Sequence, residues 1–160
     1  MDRKTKIIAE DGKQELMITR EFDLPVELLF KAHAEPELLE QWMSNPYATA
    51  KALKFEGKKH GSYQLESTDA SGKVVFKSNG TFHEFIPNKK ITRTFEMENA
   101  PFGVQLEIYE FEKLSDNTSK LNMHVIFESA ALRDQLLQMP FAQGINMAHN
   151  RLQEVVGKLK

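Results

Sequence analysis

The sequence predicts an α+β domain in which a curved antiparallel sheet is closed over by one long C-terminal helix. Three observations predict it. Most of the chain is made of short runs that alternate apolar and polar residues, separated by turn chemistry such as Ser71-Gly72, Pro87-Asn88 and Ser115-Asp116-Asn117. Helical spacing is confined to a stretch from Pro25 to Trp42 and to the C-terminal region. There, Phe141, Ile145, Ala148, Leu152, Val155 and Leu159 recur at intervals of four and three residues, which makes one apolar stripe. Strands that follow one another across short turns pair antiparallel, because parallel pairing needs long crossovers.

The elements are expected in the following order. Asp11-Gly12 reads as a tight two-residue hairpin turn between a strand near 4–10 and a longer one near 13–23, since Gly supplies positive φ without steric cost. In the longer strand Leu16, Ile18 and Phe22 alternate with Met17, Thr19 and Glu21, while Arg20 interrupts the apolar side. Val26, Leu29 and Phe30 then follow helical spacing, with Pro25 suited to a first turn and Asp23 available as a cap. Glu35-Pro36 separates this helix from a second one ending at Trp42. Six further strands are expected near 50–56, 61–67, 73–86, 90–97, 103–114 and 120–127, and a separate turn or helix near 130–139 is set off by Pro140 from the main C-terminal helix. At about 1.5 Å per residue, roughly twenty residues of helix span about 30 Å, enough to cross a small sheet.

Composition bounds the function. The chain has 160 residues, the size of one domain, and 1–160 is read as such. Lys and Arg number 21 against 23 Asp and Glu, so the field that would hold nucleic acid or an anionic membrane is missing. The lack of cysteine removes thiolate nucleophiles, disulfides and Cys-based zinc sites, and the charged N-terminus leads to only Ile7-Ile8-Ala9, short of a signal core or membrane span; a cytoplasmic protein is expected. His33, His60, His83, His124 and His149 lack metal-ligand spacing, and phosphate loops, dinucleotide fingerprints and nucleophile elbows do not occur. No metal, cofactor or catalytic set is therefore assigned.

Arg93 is the sharpest oddity. Ile91, Phe95 and Met97 place it on the apolar side of its strand, where a guanidinium costs several kcal/mol unless paired. It calls for an interior carboxylate, for which Glu110 and Glu84 are the candidates, for a ligand anion, or for a local bulge that lets it escape the interior. Glu110 is chosen first because it closes the series Val104, Leu106, Ile108, read as the inward face of that strand. Tyr63, Phe76, Phe82, Phe95 and Met123 are read as the inward faces of theirs, either closing the core or lining a space within it. His149 flanks the helix stripe and is read as partly exposed.

Four fragments in order carry a family resemblance: Arg20-Glu21-Phe22-Asp23-Leu24-Pro25, Glu35-Pro36-Glu37-Leu38-Leu39-Glu40-Gln41-Trp42, Gly80-Thr81-Phe82-His83-Glu84-Phe85-Ile86-Pro87 and Lys90-Ile91-Thr92-Arg93-Thr94. They resemble the START-like (SRPBCC, helix-grip) superfamily, and within it the group similar to the C-terminal domain of the Hsp90 ATPase activator. The resemblance implies a cavity between sheet and helix that takes a small hydrophobic or amphipathic molecule. Trp42, Tyr63, Phe76, Phe82, Arg93, Phe95, Met123, Phe141 and Ile145 are its candidate ligand-binding residues. It also implies two alternatives, a chaperone partner in stress response or a cyclase- or hydratase-like enzyme. The chain departs from the group's pattern at Met43, His60 and Ile145, positions expected at the mouth or lining of that cavity.

Overall fold

The structure is a computed structural model that describes residues 3–160. Eight strands form one antiparallel sheet in the order β1-β2-β8-β7-β6-β5-β4-β3. They are β1 (Lys6–Ile8), β2 (Glu15–Phe22), β3 (Thr49–Phe55), β4 (Ser62–Thr68), β5 (Val74–Ile86), β6 (Lys90–Met97), β7 (Val104–Lys113) and β8 (Ser119–Ile126). Strands β3 to β8 form a continuous meander, and the pairing of β2 with β8 carries the sheet on to β1. Helices α1 (Val26–Ala34) and α2 (Pro36–Met43) fill the connection between β2 and β3; α3 (Ala130–Leu137) and α4 (Phe141–Gly157) follow the last strand.

The helices form where the proline spacing predicts. Pro25 precedes α1, and Glu35 serves both as the C-cap of α1 and as the N-cap of α2, with Pro36 at the first helical position of α2. Asp23 does not cap α1; its carboxylate accepts a 2.9 Å bond from Arg3 instead. Ser129 caps α3 by accepting from the Leu132 amide at 3.1 Å. The first hairpin differs from expectation: residues 9–14 form a longer connection, and Gly12 takes positive φ (+76°) while Asp11 does not, so a primed turn is excluded.

The inner face of the sheet is read directly from burial. Leu16, Ile18, Arg20 and Phe22 of β2 and Leu121, Met123 and Val125 of β8 are all buried, as alternation predicts. A bulge between Phe82 and Glu84 turns both Phe82 and Phe85 to the inner side, where each packs against the other's ring at 5.1 Å between centroids. Strand β7 reverses the expected face. Its inward residues are Gln105, Glu107, Tyr109 and Phe111, while Val104 and Leu106 lie on the outer, solvent side. Register decides this, because inward Arg93 stands opposite Glu107 and a one-residue change of parity exchanges the two faces of a strand.

Helix α4 lies across the concave side and is tied down by polar contacts as well as by its stripe. Gln153 accepts from the Asp23 amide at 2.8 Å, Arg151 donates to the Trp42 carbonyl at 3.1 Å, and Asn146 accepts from the Thr5 amide at 3.0 Å. Leu152 and Val156 are fully buried, whereas Val155 is half-buried and Leu159 falls beyond the helix and is exposed. No described helix is long and apolar enough to cross a membrane.

Candidate functional site

The helix and the sheet meet closely at one end and stand apart at the other. At the closed end Phe30, Phe85 and Phe111 pack edge to face at 5.2–5.6 Å, and Leu24, Leu29, Leu121, Leu152 and Val156 leave almost no accessible surface. At the other end a cavity of about 380 Å³ remains between the sheet, α2 and the first turns of α4. That volume lies within the range of small-molecule sites.

Its wall is mostly apolar, and each element contributes by its own periodicity. Strand alternation brings in Ile18, Phe76, Phe82, Phe95 and Met123; helical spacing brings in Leu39 and Met43 from α2 and Phe141, Ile145 and Ala148 from α4. Met43, Phe76, Phe95, Met97, Phe141 and Ile145 are only half-buried, and Gly144 is exposed, so the opening lies along this rim. Trp42 is both wall and core: it is 8% exposed and its indole N–H donates to the Ala32 carbonyl at 2.8 Å.

Six polar side chains interrupt this lining: His33, Arg93, Gln105, Glu107, Tyr109 and His149. Arg93 donates through Nε to Glu107 at 2.9 Å and through Nη2 to the Tyr109 hydroxyl at 2.8 Å. The Tyr109 hydroxyl in turn donates to the same Glu107 oxygen at 3.1 Å. The guanidinium carbon also sits 4.7 Å from the Tyr63 ring centroid and 5.0 Å from that of Tyr109. Burial opposes the charge on Arg93, but Tyr109, Tyr63 and Glu107 outweigh it and raise its pKa overall, so the guanidinium stays charged. Burial likewise pushes the Tyr109 and Tyr63 hydroxyls well above their ordinary range and keeps them protonated.

Glu107, not Glu110 or Glu84, is therefore the partner of Arg93. Glu110 faces outward opposite Lys90, and Glu84 accepts from Thr92 and pairs with Lys90. Glu107 is not legible from residue types, because Val104, Leu106 and Ile108 mark the other face of β7 as the apolar one; only the register, which sets it opposite inward Arg93, reveals it.

The two cavity histidines are neutral. His33 bonds through Nδ1 to the Leu29 carbonyl at 2.9 Å, so that nitrogen carries the proton and Nε2 is left as an acceptor. Burial, with a further push from Arg93, lowers its pKa to about 4. His149 was expected to be partly exposed; it is 2% exposed, with its ring against Phe22 and Nδ1 2.7 Å from the Thr5 hydroxyl. Its pKa is lowered to about 3, by burial first and then by His33 and Arg20.

Eight of the nine candidate residues read from the sequence lie in this wall: Trp42, Phe76, Phe82, Arg93, Phe95, Met123, Phe141 and Ile145. Tyr63 does not. It is fully buried behind the wall, under Arg93, and donates to the Thr94 carbonyl at 2.6 Å. Gly80 makes that approach possible, since a Cβ there would stand 1.9 Å from the Thr94 oxygen and 2.5 Å from the Tyr63 hydroxyl. Of the three departures from the family pattern, Met43 and Ile145 line the cavity, while His60 lies in the β3–β4 turn at φ 68° and bonds to the Phe82 carbonyl from outside it.

The wall can accept and donate hydrogen bonds, but among the described residues it holds no Ser, Thr, Cys or Lys nucleophile. Among the described residues no group of three or more His, Cys, Asp or Glu is placed to hold a metal ion.

A family model described as activator of Hsp90 ATPase homolog 1-like protein matches residues 23–157. No curated protein matches the chain in sequence. Solved structures share the fold at low identity. A protein from Rhodobacter sphaeroides superposes with a TM-score of 0.87 at 19% identity, covering 97% of this chain and 99% of its own. For one from Mycobacterium smegmatis the TM-score is 0.82 at 19% identity, over 95% and 96% of the two chains. A solution structure from Arthrobacter aurescens gives 0.83 at 19% identity, over 96% and 91%.

Proposed function

Since the chain belongs to the family of activator of Hsp90 ATPase homolog 1-like proteins, a START-like family, and its sheet and helix leave a cavity between them, we propose that it is a non-catalytic binder of a small hydrophobic or amphipathic molecule. The observation that carries this reading is the cavity itself. About 380 Å³ is held open between layers that pack tightly elsewhere, with an apolar rim and a polar patch set into its wall. A folded protein that leaves such a space forgoes the dispersion contacts its lining would otherwise make, and an apolar guest restores them.

The test uses an environment-sensitive apolar dye. Saturable binding of about one dye per chain is expected, with a change in Trp42 emission, because that indole is part of the wall, and a rise in melting temperature, because a ligand of the folded state stabilises it by mass action. Phe141→Trp and Ile145→Trp at the rim should weaken dye binding more than stability. Absence of saturable binding by the folded protein overturns the reading.

The family's description favours a second reading, a partner among Hsp90-type chaperone ATPases in a stress response. It predicts stimulation of such an ATPase by the purified chain, irrespective of whether the cavity is filled. A cytoplasmic location would suit either role.

A further inference from the structure

The polar patch of the cavity is internally neutralised, and several of its atoms remain without a protein partner. Arg93 and Glu107 carry opposite charges 2.9 Å apart, and among the described lining residues no other is a Lys, Arg, Asp or Glu. Arg93 uses Nε and Nη2; Nη1 bonds to no described residue and is not sealed from the cavity. Both bonds to Glu107 fall on Oε1, which leaves Oε2 open in the same way. The Gln105 amide, on a residue only 4% exposed, makes no hydrogen bond to any described residue. His33 presents Nε2 as an acceptor, because its Nδ1 proton is held by the Leu29 carbonyl.

These atoms define a recognition surface. Its acceptors, Glu107 Oε2 and His33 Nε2, call for a donor on the guest. Its donors, Arg93 Nη1 and the Gln105 amide, call for an acceptor. An anion would have to leave water for a space in which Arg93, the one Lys or Arg among the described lining residues, is already paired, and it would meet the Glu107 carboxylate. Resting on the reading of the cavity as a ligand site, we propose that it selects molecules whose polar end is uncharged and hydroxyl-like, able both to donate and to accept, and that it discriminates against carboxylates and phosphates of the same size. Glu107 is the residue that sets this selectivity, since it neutralises Arg93 and supplies the acceptor.

Three naphthalene probes of similar shape test the proposal at pH 7.5: naphthalene, 2-naphthol and 2-naphthoate, titrated by fluorescence. The expected order is 2-naphthol tightest, naphthalene weaker by up to about tenfold for the lost hydrogen bonds, and 2-naphthoate weaker than 2-naphthol by about tenfold or more for the desolvated charge. In Glu107→Gln, which keeps the shape but leaves Arg93 uncompensated, 2-naphthoate should gain about tenfold or more relative to 2-naphthol. Binding of 2-naphthoate as tight as that of 2-naphthol to the wild-type protein overturns the proposal while leaving the cavity a binding site. An unchanged preference in folded Glu107→Gln removes the role given to that residue. If none of the three probes binds, the reading of the cavity itself falls and the proposal falls with it. The wild-type series decides the selectivity even if the variant does not fold.

Discussion

Two ends of one interior are made from the same materials and finish differently. Beneath α1 and the C-terminal half of α4, inward residues from sheet and helix pack with almost no accessible surface; Leu29, Leu121, Leu152 and Val156 are at most 1% exposed. Beneath the N-terminal half of α4, the same helix stripe continues through Phe141, Ile145 and Ala148, and the same strand alternation through Phe76, Phe95 and Met97, yet these side chains surround a cavity. Hydrophobicity does not distinguish the ends. What differs is the separation of the layers, and at the open end the wall includes a charged pair whose hydrogen-bonded neighbours hold it in place.

The strongest way to break the comparison is at the strand side of the wall. Gly80→Ala should destabilise by more than about 4 kcal/mol, in the range reserved for severe steric conflicts, because the new Cβ falls on the Thr94 oxygen and the Tyr63 hydroxyl that back the cavity. Urea denaturation measures it, and a loss under about 1 kcal/mol would show that β4 and β6 can move apart freely. Along α4 the ends should separate cleanly. Leu152→Ala should cost about 2–5 kcal/mol as a core deletion in a closed site, and Ile145→Ala, half-buried at the rim of the cavity, less than about 1 kcal/mol. Equal losses at the two positions would mean that the open end is packed.

Acid should also act on the cavity. Unfolded, His33 and His149 take up protons near pH 6.5; folded, His33 resists until about pH 4 and His149 until about pH 3. Between those limits the unfolded chain binds more protons, so stability is full above about 6.5 and falls as pH falls through the window. The loss attached to His33 is on the order of 3 kcal/mol by pH 4. His33→Gln should flatten the slope of unfolding free energy against pH from 6.5 to 4, and an unaltered slope would show that His33 protonates in the folded state without penalty. The smallest effect is expected at Gly144, where an added Cβ meets nothing within 4 Å. Gly144→Ala should raise stability by about 0.5–1 kcal/mol through helix propensity alone, seen as a small rise in melting temperature.

The site was only partly legible before the fold was in view. Alternation and helical spacing are local, so the inward faces of β2, β5, β6 and β8 and the stripe of α4 could be read from residue types, and Arg93 announced itself by standing in an apolar row. The face of β7 could not be read in that way. Val104, Leu106 and Ile108 outweigh Gln105, Glu107 and Tyr109 in apolar character, yet the second set is inside, because residues directly opposite in an antiparallel pair share a face and the register sets Glu107 opposite inward Arg93. Tyr63 faces inward, as alternation predicts, but stands behind the wall, since Gly80 lets its ring pass close to the β6 backbone. His149 became a buried cavity residue because the chain before β1 folds over it through Thr5, a contact 144 residues apart in sequence.

By itself, then, the sequence determined the order of the elements, the antiparallel meander, the two proline-started helices and the apolar stripe that grips the sheet, all of which follow from periodicity and backbone preference within a few residues. The partner of Arg93, the burial of His149 and the cavity beside Trp42 were decided only in three dimensions. They depend on register and on the distance between layers, and those quantities are set by contacts between residues far apart along the chain.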